Sequence, residues 1–274
     1  MERKFMVVLV LAFLLVLGSE SWASMYINPT PNTGDGDYGL LSTAWDPGTN
    51  TARFGGNPAP GGATWSVMGA GLGDVSIGGQ DPHGGSTTTL LSALYAGGVD
   101  EITTIGLALD VWAAASGFTN LGQVADGGVG FGAPDASGGH LGDIRVGAIY
   151  IDGASGTNVI AHAYQPGTEA MFLSGSIAGD LHFDNSNSWS DGGGAGTIDF
   201  FTVALHELGH SLGLGHSSVV GSVMYPYYGG VLRTLTADDI AGIQAIYGVV
   251  PVPGAVLLGI LGLGVVGIKL RRFA

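Results

Sequence analysis

The chain has 274 residues, 46% hydrophobic and 11% charged, which is enough apolar material for a sizeable core and too much for wholesale disorder. Its 51 glycines follow no Gly-X-Y period, which excludes collagen, and the absence of cysteine excludes disulfides, thiolate metal sites and a cysteine nucleophile. Residues 24–250 keep three basic residues (Arg53, Arg145, Arg233) against 20 of the 22 acids, a formal charge of −17; a body this acidic repels nucleic acid and suits calcium and an exposed, soluble surface.

Residues 1–23 read as a secretory signal. Arg3 and Lys4 precede an apolar run from Phe5 to Leu17, and Ser21-Trp22-Ala23 places small residues at −3 and −1 of a cut before Ser24. An N-terminal extension covers 24–51. Gly/Pro-rich loops are expected at 46–62, 126–140 and 191–196. Ala63–Met68 reads as a strand. Residues 100–115 read as a helix with an apolar face of Ile102, Ile105, Leu107, Leu109 and Trp112. Asp143–Tyr150 and Asn158–Tyr164 read as strands. Asp199–Leu212 reads as a helix that loses its pattern at Gly213. A last helix, 236–247, starts at a capping-box pair, Thr236 and Asp239, carries a stripe of Ile240, Ile243 and Ile246, and stops at Gly248. Strands interspersed with a few helices predict an α+β domain.

The C-terminus, 249–274, is a linker and a second hydrophobic element. Val249 to Ile268 carries no charge, and Lys269, Arg271 and Arg272 follow. Twenty helical residues at about 1.5 Å each just cross a hydrocarbon core of about 30 Å, with the basic end cytoplasmic. The chain is therefore expected to be exported and membrane-anchored at least transiently, with its body outside the cytoplasm.

The chemistry lies in His206-Glu207-Leu208-Gly209-His210 and His216. On a helix, His206 and His210 stand one turn apart on one face and can share a metal. Gly213 tolerates the positive φ that turns the chain sharply and brings His216 back as a third ligand. Three imidazoles leave a fourth zinc position open for water, as catalytic sites do. Glu207 is placed to move protons as the general base and acid.

This is the H-E-x-x-H-x-x-G-x-x-H pattern of metzincin zinc peptidases, and Met224 in Ser222-Val223-Met224-Tyr225-Pro226 stands where that class has its Met-turn. Ser217 after the third histidine, Met-Tyr-Pro at 224–226, 238–248, Ile160-Ala161-His162-Ala163-Tyr164 with Pro166-Gly167, Gly179–Asp184 with Trp189, and Ala108–Trp112 resemble the matrixins, the matrix-metalloproteinase family. The resemblance runs from 52 to 248. It implies a zincin-like catalytic domain, a twisted mixed β-sheet with a few helices, and zinc-dependent endopeptidase activity on extracellular or surface proteins. It also implies catalytic zinc on His206, His210 and His216, with Glu207 as base. Pro226 and Tyr228 would line the S1′ pocket. The edge strand at 160–164 would pair with substrate, the Ala161 carbonyl helping to hold it.

The family's structural zinc uses a His-x-Asp pair and two later histidines. His162 and His182 match the later two, but the pair is missing; His140 and Asp143 precede the strand instead of following it, and His83 reads as a solvated loop residue. The resemblance implies calcium at Asp152, Asp180 and Asp184, with Asn187 where the family often has Glu. A cysteine latency switch is excluded. The stretch 250–254 before the apolar segment resembles the PEP-CTERM sorting tails of exosortase substrates, with Val252 in place of their Glu; a plain stop-transfer helix is the other reading. The rival function is a catalytically inactive matrixin-like module for surface binding or adhesion.

Overall fold

The computed structural model describes the backbone strands at 22–26, 38–40, 43–45 and 52–54, and residues 59–76, 78–81, 83, 85–95, 100–134, 142–153, 159–167 and 175–250. Four short strands open the order: β1 (Trp22–Tyr26), β2 (Tyr38–Leu40), β3 (Thr43–Trp45) and β4 (Ala52–Phe54). Then come β5 (Gly61–Val67), α1 (Glu101–Ala115), β6 (Phe118–Gln123), β7 (Ile144–Ile149), β8 (Val159–Tyr164), β9 (Leu181–Asp184), β10 (Trp189–Ser190), β11 (Ile198–Asp199), α2 (Phe200–Ser211), β12 (Leu214–Ser217) and α3 (Ala237–Tyr247). The predicted strand and helix segments are all present.

The main sheet runs β1-β8-β9-β7-β5-β6. Strands β6, β5, β7 and β9 are parallel; β8 runs antiparallel to β9, and β1 antiparallel to β8. The sheet is thus mixed, and the fold is the α+β arrangement expected. Every residue of β7, β8 and β9 is buried, because packed layers cover both faces of these central strands. One layer is the main core, where α1 and α2 lie against Val146, Ile160, Leu181 and Phe183. The other is a smaller cluster of Met68, Phe131, Ile149, Val159, Tyr164 and Ile177 beneath the loops. Arg145, buried in β7, is held by a bidentate pair with Asp126 at 2.9 Å for each contact and by the carbonyls of Val129 and Gly130.

Helix α1 corrects the expected apolar face. Ile102 and Leu107 are 42% and 52% exposed, whereas Ile105, Ala108, Leu109 and Trp112 are buried. The buried set keeps i, i+3, i+4, i+7 spacing, the stripe a straight helix presents to a core. The Trp112 indole donates to the Leu205 carbonyl at 2.9 Å, joining α1 to α2.

Strand β8 is not the free edge expected for substrate. Its outer side pairs with β1, from Trp22↔Tyr164 to Tyr26↔Val159. Strand β2 likewise pairs with β12, which carries His216. The N-terminal segment therefore runs along the elements that hold the metal motif. Among the described residues no helix is long and apolar enough to cross a membrane. The expected signal core and the C-terminal segment from 251 lie outside the described residues.

Candidate active site

Helix α2 carries the motif, and its start is fixed by Asp199. The Asp199 carboxylate accepts from the backbone N–H and hydroxyl of Thr202 at 3.0 and 2.6 Å, an N-cap, and from Gly192 N–H and Arg233 at 2.7 and 2.6 Å. All twelve residues of α2 are buried. His206 and His210 face one another, with Nε2 atoms 3.0 Å apart. Their outer nitrogens are occupied: His206 Nδ1–H donates to the Val223 carbonyl at 2.6 Å and His210 Nδ1–H to the Leu214 carbonyl at 2.7 Å. Those bonds fix the tautomers, so both Nε2 lone pairs point inward, which is how carbonyls behind the rings orient imidazoles for a metal.

Past α2, Gly213 has φ +103°, the conformation expected there. The chain turns into β12 and brings His216 to the others, with ring centroids 5.4 Å from His206 and 4.8 Å from His210. The three histidines form one group able to hold a metal ion. Burial, then the neighbouring His216, pushes His206 down to about 3, and burial pushes His210 well below its usual value. Both are neutral at pH 7, as metal ligation requires. Glu207 is fully buried on the same helix, three residues before His210. The donor set fits zinc, which takes three histidines and an open position in catalytic sites.

Met224, 1% exposed, packs against α2 at Gly209. A Cβ at Gly209 would collide with the Met224 sulfur and lie 2.9 Å from the Trp112 ring. Asp239 fixes this turn in place. Its carboxylate accepts from the backbone N–H groups of Val223 and Met224 at 3.0 Å each, while closing the predicted capping box with Thr236. Ser217 adds N–H donation to the Met224 carbonyl at 2.8 Å and hydroxyl donation to Asp238 at 2.6 Å.

The remaining sequence-derived positions divide. Pro226 and Tyr228 follow the turn, half-buried, and the Tyr228 hydroxyl accepts from Asp199 N–H at 2.9 Å. Ala161 sits in β8 between Phe183 of β9 and Met25 of β1. The three acids named for calcium do not form a shared cluster with a third His, Asp or Glu among the described residues. Asp184 is buried and accepts from Ser186 N–H and hydroxyl and from Asn187 at 3.0, 2.8 and 3.0 Å, a loop-fixing role. Asp152 accepts from Val159 N–H at 3.3 Å. Burial pushes the Asp180 carboxyl well above the usual range, against the pull of Arg145.

His162 and His182 do come together, and with a residue the sequence reading passed over. Asp81 Oδ2 lies 3.2 Å from His162 Nε2 and 3.0 Å from His182 Nδ1. His83 is not simply solvated. Its ring stacks on His162 at a centroid distance of 5.5 Å, and its backbone N–H donates to Asp81 Oδ1 at 2.7 Å. The signal was Asp81-Pro82-His83 itself, an aspartate and a histidine two apart in a glycine-rich loop. Asp143 instead binds Thr64, accepting from its N–H and hydroxyl at 2.6 and 2.7 Å, and His140 lies outside the described residues.

Comparison with known proteins gives the same direction. The profile of the matrixin family matches residues 102–248, more than half of the chain. Matrilysin of Rattus norvegicus is 52% identical over 94 residues, covering 33% of this chain and 32% of that protein. Matrilysin of Homo sapiens is 49% identical over 94 residues, covering 33% and 32%. Karilysin of Tannerella forsythia is 45% identical over 92 residues, covering 34% and 18%. The aligned stretch spans about a third or less of each of these relatives.

Proposed function

The chain belongs to the matrixin family, and from that premise we propose that it is a zinc-dependent endopeptidase acting on extracellular or surface proteins. The observation that carries this is the inward convergence of the His206 and His210 Nε2 atoms, with His216 beside them and Glu207 buried on the same helix. His206, His210 and His216 would hold the zinc, which would supply Lewis-acid polarisation of the scissile carbonyl and would lower the pKa of a bound water to about 7. Glu207 is the group that would accept a proton from the attacking water and return it to the leaving amine. The Val223 and Leu214 carbonyls keep His206 and His210 in the ligating tautomer throughout. Pro226 and Tyr228 form the wall of the S1′ pocket, which the Tyr228–Asp199 bond makes rigid.

Substrate extends along β8 as an added strand, the Ala161 carbonyl among its acceptors. Strand β1 now holds that edge, so substrate and the chain's own N-terminal segment compete for it. Residues 1–23 direct export. Residues 249–274 tether the chain to the membrane, at least until an exosortase-like enzyme processes them. Calcium on Asp152, Asp180 or Asp184 is a structural addition to this scheme. The rival reading, an inactive adhesion module, has no use for a buried glutamate beside three histidines.

The test is metal dependence. The full chain is expected to cleave a quenched peptide library, to lose that activity on chelation, and to regain it with stoichiometric zinc. Zinc retention without cleavage of any peptide would favour the adhesion module, and cleavage indifferent to chelation would sink the metallopeptidase reading.

A further inference from the structure

Arg233 is a charged residue that the proposed reaction leaves unused. Its side chain is 39% exposed, yet it reaches Asp199, whose side chain is 0% exposed. Its Nη2 donates to Asp199 Oδ1 at 2.6 Å and to Asp191 Oδ1 at 2.5 Å. The guanidinium also lies over the Phe201 ring, 4.9 Å from the centroid. Residues 24–250 hold two other basic residues, Arg53 and Arg145, and Arg145 is committed to Asp126. A surface ion pair contributes little, because water screens it. The pair with Asp199 differs on its buried side. Thr202 N–H and hydroxyl fill Asp199 Oδ2, and Gly192 N–H shares Oδ1 with Arg233. Removing the arginine strips the countercharge from a buried carboxylate, which costs far more than losing a solvated pair. Asp191, 63% exposed, is the solvated comparison on the same guanidinium.

The same spot fastens the chain that follows the Met-turn. The Tyr228 hydroxyl accepts from Asp199 N–H at 2.9 Å, and Leu232 N–H donates to Thr202 Oγ1 at 2.8 Å. From the other side, a Cβ at Gly193 would lie 3.0 Å from the Val231 side chain and 3.2 Å from the Tyr228 hydroxyl, so that loop packs on the segment without slack. Segment 228–233 is therefore joined to the start of α2 at Tyr228, Leu232 and Arg233. Thr202 lies four residues before His206, one turn away on the same helix face. The pocket wall and the first metal-ligating histidine are thus held to one piece of helix.

We propose that Arg233 is a positioning residue: its contact with Asp199 locks segment 228–233 onto α2 and so sets where Tyr228 stands in the S1′ wall. What the wall receives, the substrate side chain after the scissile bond, rests on the peptidase reading; the lock itself does not. Without the arginine the segment loosens from α2, and a shaped pocket becomes a slack one. The loss falls on substrate binding, because His206 and His210 keep the carbonyls that orient them.

The experiment reads two quantities on the zinc-loaded full chain. In backbone amide exchange, Arg233→Ala is expected to speed Leu232 and Asp199 about tenfold or more while α3 is unchanged. In peptide cleavage it is expected to raise KM about tenfold, the size of a lost charge-assisted hydrogen bond, with kcat within about twofold. The rise should be largest for peptides with a bulky side chain after the scissile bond and smallest for glycine there. A lysine ammonium reaches Asp199 as a point charge without the stack on Phe201, so Arg233→Lys should fall between the two proteins. Asp191→Asn is expected to change neither quantity. If Arg233→Ala fails to fold, Arg233→Gln carries both readings. Unchanged exchange at Leu232 and Asp199, or a fall in kcat with KM unmoved, overturns the proposal. If the unaltered chain cleaves no peptide, the peptidase reading fails and exchange alone decides the lock.

Discussion

At Gly209 the motif helix has no room for a side chain, because the Met224 sulfur and the Trp112 ring already fill the position a Cβ would take. Overpacking a tight core costs about 1–3 kcal/mol. Gly209→Ala is therefore expected to lower stability by about that amount and to weaken zinc binding, since a displaced Met224 would shift Val223 beside it, whose carbonyl holds His206; denaturant titration and a zinc count check both. The same residues set the response to acid. His206 is held down to about 3 by burial and by His216, against an ordinary value of 6.5. The unfolded chain therefore binds the extra proton between pH 6.5 and 3 while the folded chain does not, and stability must fall as pH falls through that window. Metal-depleted protein followed by tryptophan fluorescence should lose stability progressively below pH 6.5; constant stability from pH 7 to 4 would contradict this.

Among elements, α3 matters less for its own helix than for the turn it holds. Asp239 caps α3 and at the same time binds the N–H groups of Val223 and Met224. Asp239→Ala removes a cap, about 1 kcal/mol, and orphans two buried donors, about 1–3 kcal/mol each. The expected loss is about 3 kcal/mol or more in a urea titration, far above that of an ordinary cap, and a loss near 1 kcal/mol would show that the Met-turn stands without it. Elements of this kind were legible in the sequence. The histidine spacing, Gly213 and the Thr236–Asp239 pair are local patterns, and each needs only one turn of backbone to take effect. The α1 face was misread because Ile102 and Leu107 are apolar yet off the buried stripe, and residue type alone does not reveal which side meets the sheet. Asp81 was missed for a different reason. Its partners lie about 80 and 100 positions away in sequence, and only the β8–β9 register brings them to it.

On the scale of the whole molecule, the parallel order of β6, β5, β7 and β9 and the place of β1 are long-range facts that no local pattern carries. β1 is the consequential one, for it covers the edge of β8, the strand along which substrate is proposed to extend. Prolines at both Met25 and Tyr26 would remove whichever backbone donor faces β8, since alternate residues of an antiparallel strand face the partner. Met25→Pro/Tyr26→Pro is therefore expected to lower KM for peptide with little change in kcat. Unchanged kinetics would mean that β1 and substrate do not share the edge.

The central claim is that the His206, His210 and His216 group works with Glu207 to hydrolyse peptide bonds. The most direct measurement is cleavage of a quenched peptide library by the unaltered full chain and by Glu207→Ala at equal loading and equal zinc content. The account predicts turnover in the first and a loss of about 100-fold or more in the second, the size of a general acid–base contribution. Equal rates in the two proteins, or equal silence with zinc bound and the fold intact, would contradict it.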